Sequence, residues 1–351
     1  MRRRLIRTAV LAVLTLAAAG LYFADALTVP HAGFDGEILL VVERGTSSRE
    51  LAALLARRGV IRDEWRFLAV RALRREAVLQ AGEYQFSRPA SAWAVFDRFV
   101  RGDVYLHHVT MPEGATVFDV ARILARLDWI GPGEAEQAVR DAALIRDLDP
   151  VAETLEGYLF PSTYFVSRGT SAARICGTMV RQFRTEWKRL AGEGNVREVV
   201  TLASLVERET GVAEERKLVA SVFRNRLRRG IKLQCDPTVI YAALLEERYD
   251  GVINRSDLDS PHPYNTYRHA GLPPGPITSP GAAALDAAIR PAETDYLFFV
   301  AKPGGSGGHE FSKTLAAHNR AVARYRRGVG EASRQGQADS VSGAEASGAG
   351  N

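Results

Sequence analysis

Near the N-terminus, the 17 residues from Thr8 to Ala24 carry no charged side chain, and Arg2, Arg3, Arg4 and Arg7 precede them. Inside a bilayer the backbone of such a stretch must satisfy its own polar groups, so a helix is the one form open to it. Its length is at the lower limit for crossing a hydrocarbon core of about 30 Å. Arginines ahead of the span place the N-terminus in the cytoplasm and the rest of the chain outside. A cleaved signal peptide is the rival reading, since Ala24-Asp-Ala26 offers a small-x-small site. The apolar run exceeds the usual signal-peptide core, and Leu21-Tyr-Phe23 closes it like an interfacial aromatic anchor, so an uncleaved anchor is favoured. Both readings export the bulk of the chain.

A length of 351 residues allows about two domains beyond the anchor. The net charge of +5 is modest, and only five of the basic residues are lysine. No basic run is interleaved with aromatics, so a nucleic-acid partner is not expected. Cys176 and Cys235 are far apart and fit no CxxC pattern, which leaves open a single bridge between them but no disulfide framework. His262, His269, His309 and His318 lack metal-ligand spacing, and no GxSxG elbow occurs. No metal and no cofactor is expected.

Residues 25–36 contain Pro and Gly and read as a linker. An internal repeat follows, with Val41–Arg57 matching Thr110–Arg126 at a constant offset of 69. Each copy reads as a short strand, a Gly turn, a Ser/Thr cap and an amphipathic helix. The first copy continues into a second helix (Arg62 to Glu76), a strand (Leu79 to Phe86) and a helix from Ala92 to Arg101. This strand-helix-helix-strand order resembles LysM modules, which bind N-acetylglucosamine polymers. A scaffold that only spaces the next domain from the membrane would have the same pattern.

The second half centres on Leu202-Ala-Ser-Leu-Val-Glu-Arg-Glu-Thr210, a stretch with the spacing of a buried helix that also carries Glu207 and Glu209. A carboxyl on the apolar margin of a helix is a candidate general acid, because desolvation raises its pKa. At about 100° per residue the two acids lie on opposite margins and cannot face one cleft from a straight helix. Helices are expected over Glu214 to Arg229 and Val239 to Glu247, with Asp236 capping the latter, and short strands at Ile231–Cys235 and Tyr296–Val300. Residues 260–281 hold six prolines and Tyr264-Asn-Thr-Tyr267, a long stiff loop of the kind that carries function. From Gly328 onward the composition is mostly Gly, Ala, Ser and Gln without aromatics, which predicts disorder.

Several of these motifs recur together in one family. Leu155-Glu-Gly-Tyr-Leu-Phe-Pro161, Ala203–Thr210, Phe223-Arg-Asn-Arg-Leu227, Leu233–Tyr241, Tyr264–Tyr267, Gly271–Pro280 and His309–Asn319 resemble, in order and spacing, the endolytic murein transglycosylases, the YceG-like proteins. The resemblance implies an α+β chain: an N-terminal membrane helix, a LysM-like α+β region, then an α+β catalytic domain with a cleft. The expected bounds are a cytoplasmic tail 1–7, anchor 8–24, linker 25–36, LysM-like region 37–147, catalytic domain 148–328 and disordered tail 329–351. It implies a single-pass protein of the cell inner membrane with a periplasmic lyase domain.

That domain would cut the MurNAc-GlcNAc β-1,4 bond of nascent peptidoglycan strands, leaving 1,6-anhydro-MurNAc ends and terminating elongation. By the same resemblance Glu207 matches the catalytic glutamate, acting first as acid and then as base. Glu156, Gln234, Asp236, Thr238, Tyr264, Asn265 and Tyr267 are implied as substrate-binding residues of the cleft, and Glu209 would be a structural partner for a nearby arginine. Cys235 departs from the family, which more often has a small hydroxyl residue there. Glycan strands and the membrane are the implied partners, with peptidoglycan synthases or division proteins beside them. A catalytically silent peptidoglycan-binding or division scaffold of the same fold is the alternative. A hydrolase would need a second carboxylate, for which Glu156 or Asp236 is the sequence candidate.

Overall fold

The first helix, α1 (Arg2–Thr28), does not stop where the apolar run ends. The computed structural model describes residues 2–190, 192, 194–303 and 307–328; the tail expected to be disordered, 329–351, lies outside the described residues. Ala26 and Leu27 are buried, and the Arg66 guanidinium donates to the Ala26 carbonyl at 2.8 Å. Residues 25–36 are therefore not a loose linker. After α1 ends, His31 pairs with Ala90 as an isolated bridge, and Gly33 N–H donates to the Gly59 carbonyl at 2.8 Å.

The chain divides into two compact units: residues 1–108 with 165–170, and 109–164 with 171–351. The first contains α1, β1 (Ile38–Val42), α2 (Ser48–Arg57), α3 (Glu64–Leu73), β2 (Gly82–Phe86) and α4 (Ala92–Arg101). β1 and β2 pair antiparallel, from Ile38 opposite Phe86 to Val42 opposite Gly82. Their inward residues Leu40, Val42, Tyr84 and Phe86 join Leu51, Leu55, Phe67, Phe96 and Phe99 in one core. The expected strand-helix-helix-strand order is present.

In the second unit the repeat recurs as β3 (Leu106–Met111) and α5 (Val117–Leu124), the division between the units falling within β3 and its partner strand β4 (Ser162–Ser167). Both copies close the same capping box, Ser47 with Glu50 and Thr116 with Asp119. Each helix start is thus satisfied by side chains three residues apart. Then come α6 (Pro132–Val139), α7 (Ala172–Arg189), α8 (Val196–Glu209), α9 (Arg216–Arg228), α10 (Asp236–Leu245), α11 (Arg255–Asp259), α12 (Ala282–Ile289), β5 (Phe298–Ala301), β6 (His309–Ser312) and a helix over 315–328. β5 pairs antiparallel with β6. Fold class is mixed helix and sheet, as the pattern implied. Two local expectations differ. Residues 231–235 form no strand, and Cys235, not Asp236, occupies the cap position of α10. Both cysteines are free and buried.

Candidate active site

Seven consecutive residues of α8, from Val200 to Val206, are buried. A helix enclosed on all sides must be apolar or small all round; of the two polar residues in this run, Thr201 and Ser204, the serine bonds twice. Its hydroxyl donates to the Thr201 carbonyl at 2.7 Å and accepts the Ile277 N–H at 3.1 Å. The helix ends at Glu209, with Thr210 already extended. Glu207 and Glu209 project from this last turn into different surroundings.

Glu207 is held by fixed partners. Its side chain is 6% exposed, with Oε1 at 3.8 Å from the Arg216 guanidinium. Oε2 accepts the Gly281 N–H, at the start of α12, at 2.9 Å. Arg216 also lies 3.9 Å from the half-exposed Glu113 carboxylate. A Cβ at Gly281 would meet that carboxyl, the far end of a half-exposed side chain that would have to move aside. Burial pushes the Glu207 carboxyl up; the Gly281 N–H opposes this, the Glu113 charge adds to it, and Arg216 and Arg208 oppose it.

Glu209 borders a cleft of about 280 Å³ together with Gln234, Asp236, Tyr267, Arg226 and His318. Burial again raises its pKa, opposed first by a hydrogen bond from the Cys235 thiol, while Asp236 adds to the rise and His309 and Arg226 oppose it. Gln234 holds φ at +53°, a region that a non-glycine residue enters at a cost on the order of 1 kcal/mol or more. The strain is held by the Gln234 and Cys235 N–H groups, which donate to the Thr266 carbonyl at 3.2 Å and the Thr266 hydroxyl at 3.0 Å. Tyr267 donates its hydroxyl to Asp236 Oδ1 at 2.5 Å. The Arg226 guanidinium, whose charge acts on Glu209, donates to the carbonyls of Leu297 and Leu233 at 2.6 and 2.8 Å. Glu215 fixes His309 twice, accepting from its backbone N–H at 2.8 Å and meeting ring Nδ1 at 2.7 Å.

Glu156 lies elsewhere in the same unit. It is buried, accepts the Val117 N–H at the start of α5 at 3.0 Å, and is pushed up to about 8 by burial, opposed by that N–H and by the Tyr241 hydroxyl. Tyr241 and Tyr264 meet beside it with ring centroids 5.0 Å apart and planes tilted by 53°, on a cavity of about 170 Å³ that Arg197 also borders. Arg197 is tied to buried Asp149 at 2.6 Å and to the Pro274 carbonyl at 2.9 Å. Thr238 and Asn265 are fully buried. The Thr238 hydroxyl donates to the Cys235 carbonyl at 2.7 Å. The Asn265 amide donates to the carbonyls of Leu258 and Ser260 at 3.0 and 2.8 Å, closing the end of α11.

The residues expected in one cleft are thus distributed over three places. Gln234, Asp236 and Tyr267 gather with Glu209; Glu156 and Tyr264 share a second cavity; Thr238 and Asn265 brace the loop between α10 and α12. Around Glu207 stand Glu113, Arg216 and Gly281, none of which the sequence flagged. Glu113 precedes the Gly of the second repeat copy, where the first copy has Arg44; that sign change was the one available signal.

Fold and site define an α+β protein built on an enclosed helix that ends in two partly buried acids. The chain belongs to the YceG-like family, whose model matches residues 40–324. It is 33% identical over 307 residues to the endolytic murein transglycosylase of Bacillus subtilis, spanning 81% of this chain and 83% of that protein. A protein of the same name from Streptococcus pneumoniae is 28% identical over 359 residues, spanning 90% of this chain and 64% of its own length. Among solved structures, a YceG-like protein from Listeria monocytogenes matches with a TM-score of 0.53 at 30% identity, over 81% of this chain and 98% of that one.

Proposed function

We propose that this chain is an endolytic murein transglycosylase, anchored by α1 in the cell inner membrane with its remaining residues in the periplasm. It cuts MurNAc-GlcNAc β-1,4 bonds inside nascent peptidoglycan strands and leaves 1,6-anhydro-MurNAc ends. The relatives' shared name supports the reaction class, and one helix long and apolar enough to cross a bilayer, Ile6–Thr28, supports the anchor. The residues from 37 to 147 are read as a LysM-like region and those from 148 to 328 as the catalytic domain. The observation that carries the site is the meeting of Gln234, Asp236 and Tyr267 with the carboxyl of Glu209 in one open cleft.

On that geometry Glu209 is the proton carrier. Burial keeps it protonated at higher pH than a free glutamate, as a general acid near neutral pH requires. Its proton goes to the glycosidic oxygen as the C1–O4 bond breaks. The sugar's own C6 oxygen then forms a bond to C1, and its proton returns to the Glu209 carboxylate. No water enters and no second carboxylate is needed, because the attack is intramolecular and has a high effective molarity. Asp236 and Tyr267 offer hydrogen-bonding groups to sugar hydroxyls, and the aromatic rings offer stacking faces.

A second reading places the proton on Glu207, where the motif resemblance alone puts it. Its burial and the nearby Glu113 carboxylate favour this reading. Digestion of purified glycan strands by the full chain, by Glu209→Gln and by Glu207→Gln separates the two. Anhydro ends lost in Glu209→Gln and kept in Glu207→Gln support the first reading, and the reverse supports the second. Reducing ends from the wild type point to hydrolysis, and intact strands from all three sink the enzyme reading.

A further inference from the structure

The end of α1 is the starting point. A hydrocarbon core of about 30 Å takes about 20 helical residues. Counted from Thr8, the first residue past Arg7, the helix leaves the hydrocarbon near Leu27. Yet Ala26 and Leu27 are already enclosed by the first unit, at 5% and 3% exposure. Hydrocarbon and protein core therefore abut, with no spacer between them. A helix running unbroken from one into the other, with Arg66 bonded to the Ala26 carbonyl, leaves no joint by which the unit could swing clear of the surface.

The side chains at this junction fit the boundary. Trp65, near the start of α3, lies 6.0 Å from Phe23 between ring centroids. Phe23 is one turn inside Leu27, so Trp65 stands level with the last turn of the span. Trp65 is 43% exposed and Phe23 40%. The Arg66 guanidinium lies 5.5 Å from the Trp65 ring centre. A tryptophan with an apolar face and an N–H edge is the residue that favours the zone between acyl chains and headgroups.

We propose that the start of α3, with Trp65 at its tip, sits in the headgroup zone of the bilayer that α1 crosses. The first unit is then bound to the membrane by its own surface. The proposal rests on α1 being the anchor proposed above. Its occupant is the lipid interface, because the exposed ring lies against Phe23 of the span itself and any occupant of that position must share it with lipid.

The test uses the full chain and its Trp65→Phe variant in vesicles of phosphatidylethanolamine and phosphatidylglycerol with bromine at shallow or deep acyl positions. Trp65 is exposed, so phenylalanine leaves the core intact, and the difference in emission between the two proteins isolates its signal from the other three tryptophans. Shallow bromine is expected to remove most of that difference signal, deep bromine less, with little further loss to aqueous acrylamide. Retention after an alkaline carbonate wash with Trp65 unquenched and open to acrylamide overturns this proposal and leaves the anchor standing. Loss of the chain in the wash overturns both. Protection from acrylamide without bromine quenching, growing with protein density, would mean that a second copy covers the site, and also overturns it.

Discussion

Glu207 and Glu209 are two residues apart, both are withdrawn from water, and both are pushed above the usual carboxylate range by burial. Their company differs. Glu207 is enclosed by a fixed N–H donor and a guanidinium. Glu209 borders an open cleft with an amide, a phenol and a second acid. A raised pKa therefore selects neither. What distinguishes them is their neighbours: Glu207 has one N–H donor and a guanidinium 3.8 Å away, whereas Glu209 has the Cys235 thiol and shares its cleft with Gln234, Asp236 and Tyr267.

The largest expected effect breaks this comparison directly. Glu209→Gln should lower glycan cleavage by about 10²–10⁴-fold, the usual worth of a general acid-base group, with product analysis as the readout. Glu207→Gln keeps an acceptor for the Gly281 N–H and should retain most activity. A collapse of activity in Glu207→Gln with a normal melting curve would reverse the assignment.

Gly281→Ala sharpens the Glu207 side. The added methyl meets the carboxyl end of the half-exposed Glu113 side chain, which can swing aside, so the loss should stay below the roughly 1–3 kcal/mol of core overpacking. Denaturant melts should show the loss, and Glu113→Ala in the same chain should recover much of it. Equal losses with and without Glu113 would place the strain elsewhere.

Glu156 supplies a pH dependence. Its folded pKa of about 8 lies above the unfolded value of 4.5, so folding favours the protonated form. Its contribution is fully present below the unfolded value and is lost as pH rises through about 8. Glu156→Gln should therefore gain stability relative to wild type at pH 9, by at most a few kcal/mol given about 1.4 kcal/mol per tenfold change in proton affinity. Parallel melts at pH 5 and pH 9 would show it, and identical pH trends would refute it. The smallest effect concerns Cys235. Its thiol is a weak donor to Glu209, and Cys235→Ser should bond the carboxylate more strongly. Activity that needs the protonated acid should then begin to fall at slightly lower pH; an unmoved or raised limb would count against the contact.

Local grammar made much of the fold legible. The spacing of Leu202–Val206 marked an enclosed helix, the Ser47 and Thr116 boxes marked two helix starts, and the run after Arg7 marked α1. What local pattern could not show was which distant segments meet. Asp236 before Pro237 looks like a cap, but Tyr267, 31 residues away, takes up its carboxylate. Residues 231–235 alternate like a strand, yet with Gln234 at φ +53° they turn to meet Thr266 instead. The motif residues could be recognised one by one, but their division among Glu209, Glu156 and the loop scaffold is a property of packing, which sequence order does not encode.

The two capping boxes also bear on the order in which the chain folds. Ser47 with Glu50, and Thr116 with Asp119, close over three residues and need no distant partner, so both helix starts can form while the chain is still open. The Val117 N–H, by contrast, waits for Glu156, 39 residues on, whose carboxyl must shed its water to arrive. The same helix end thus has an early clasp and a late one, and refolding through the late step should proceed faster in acid, where Glu156 arrives already neutral.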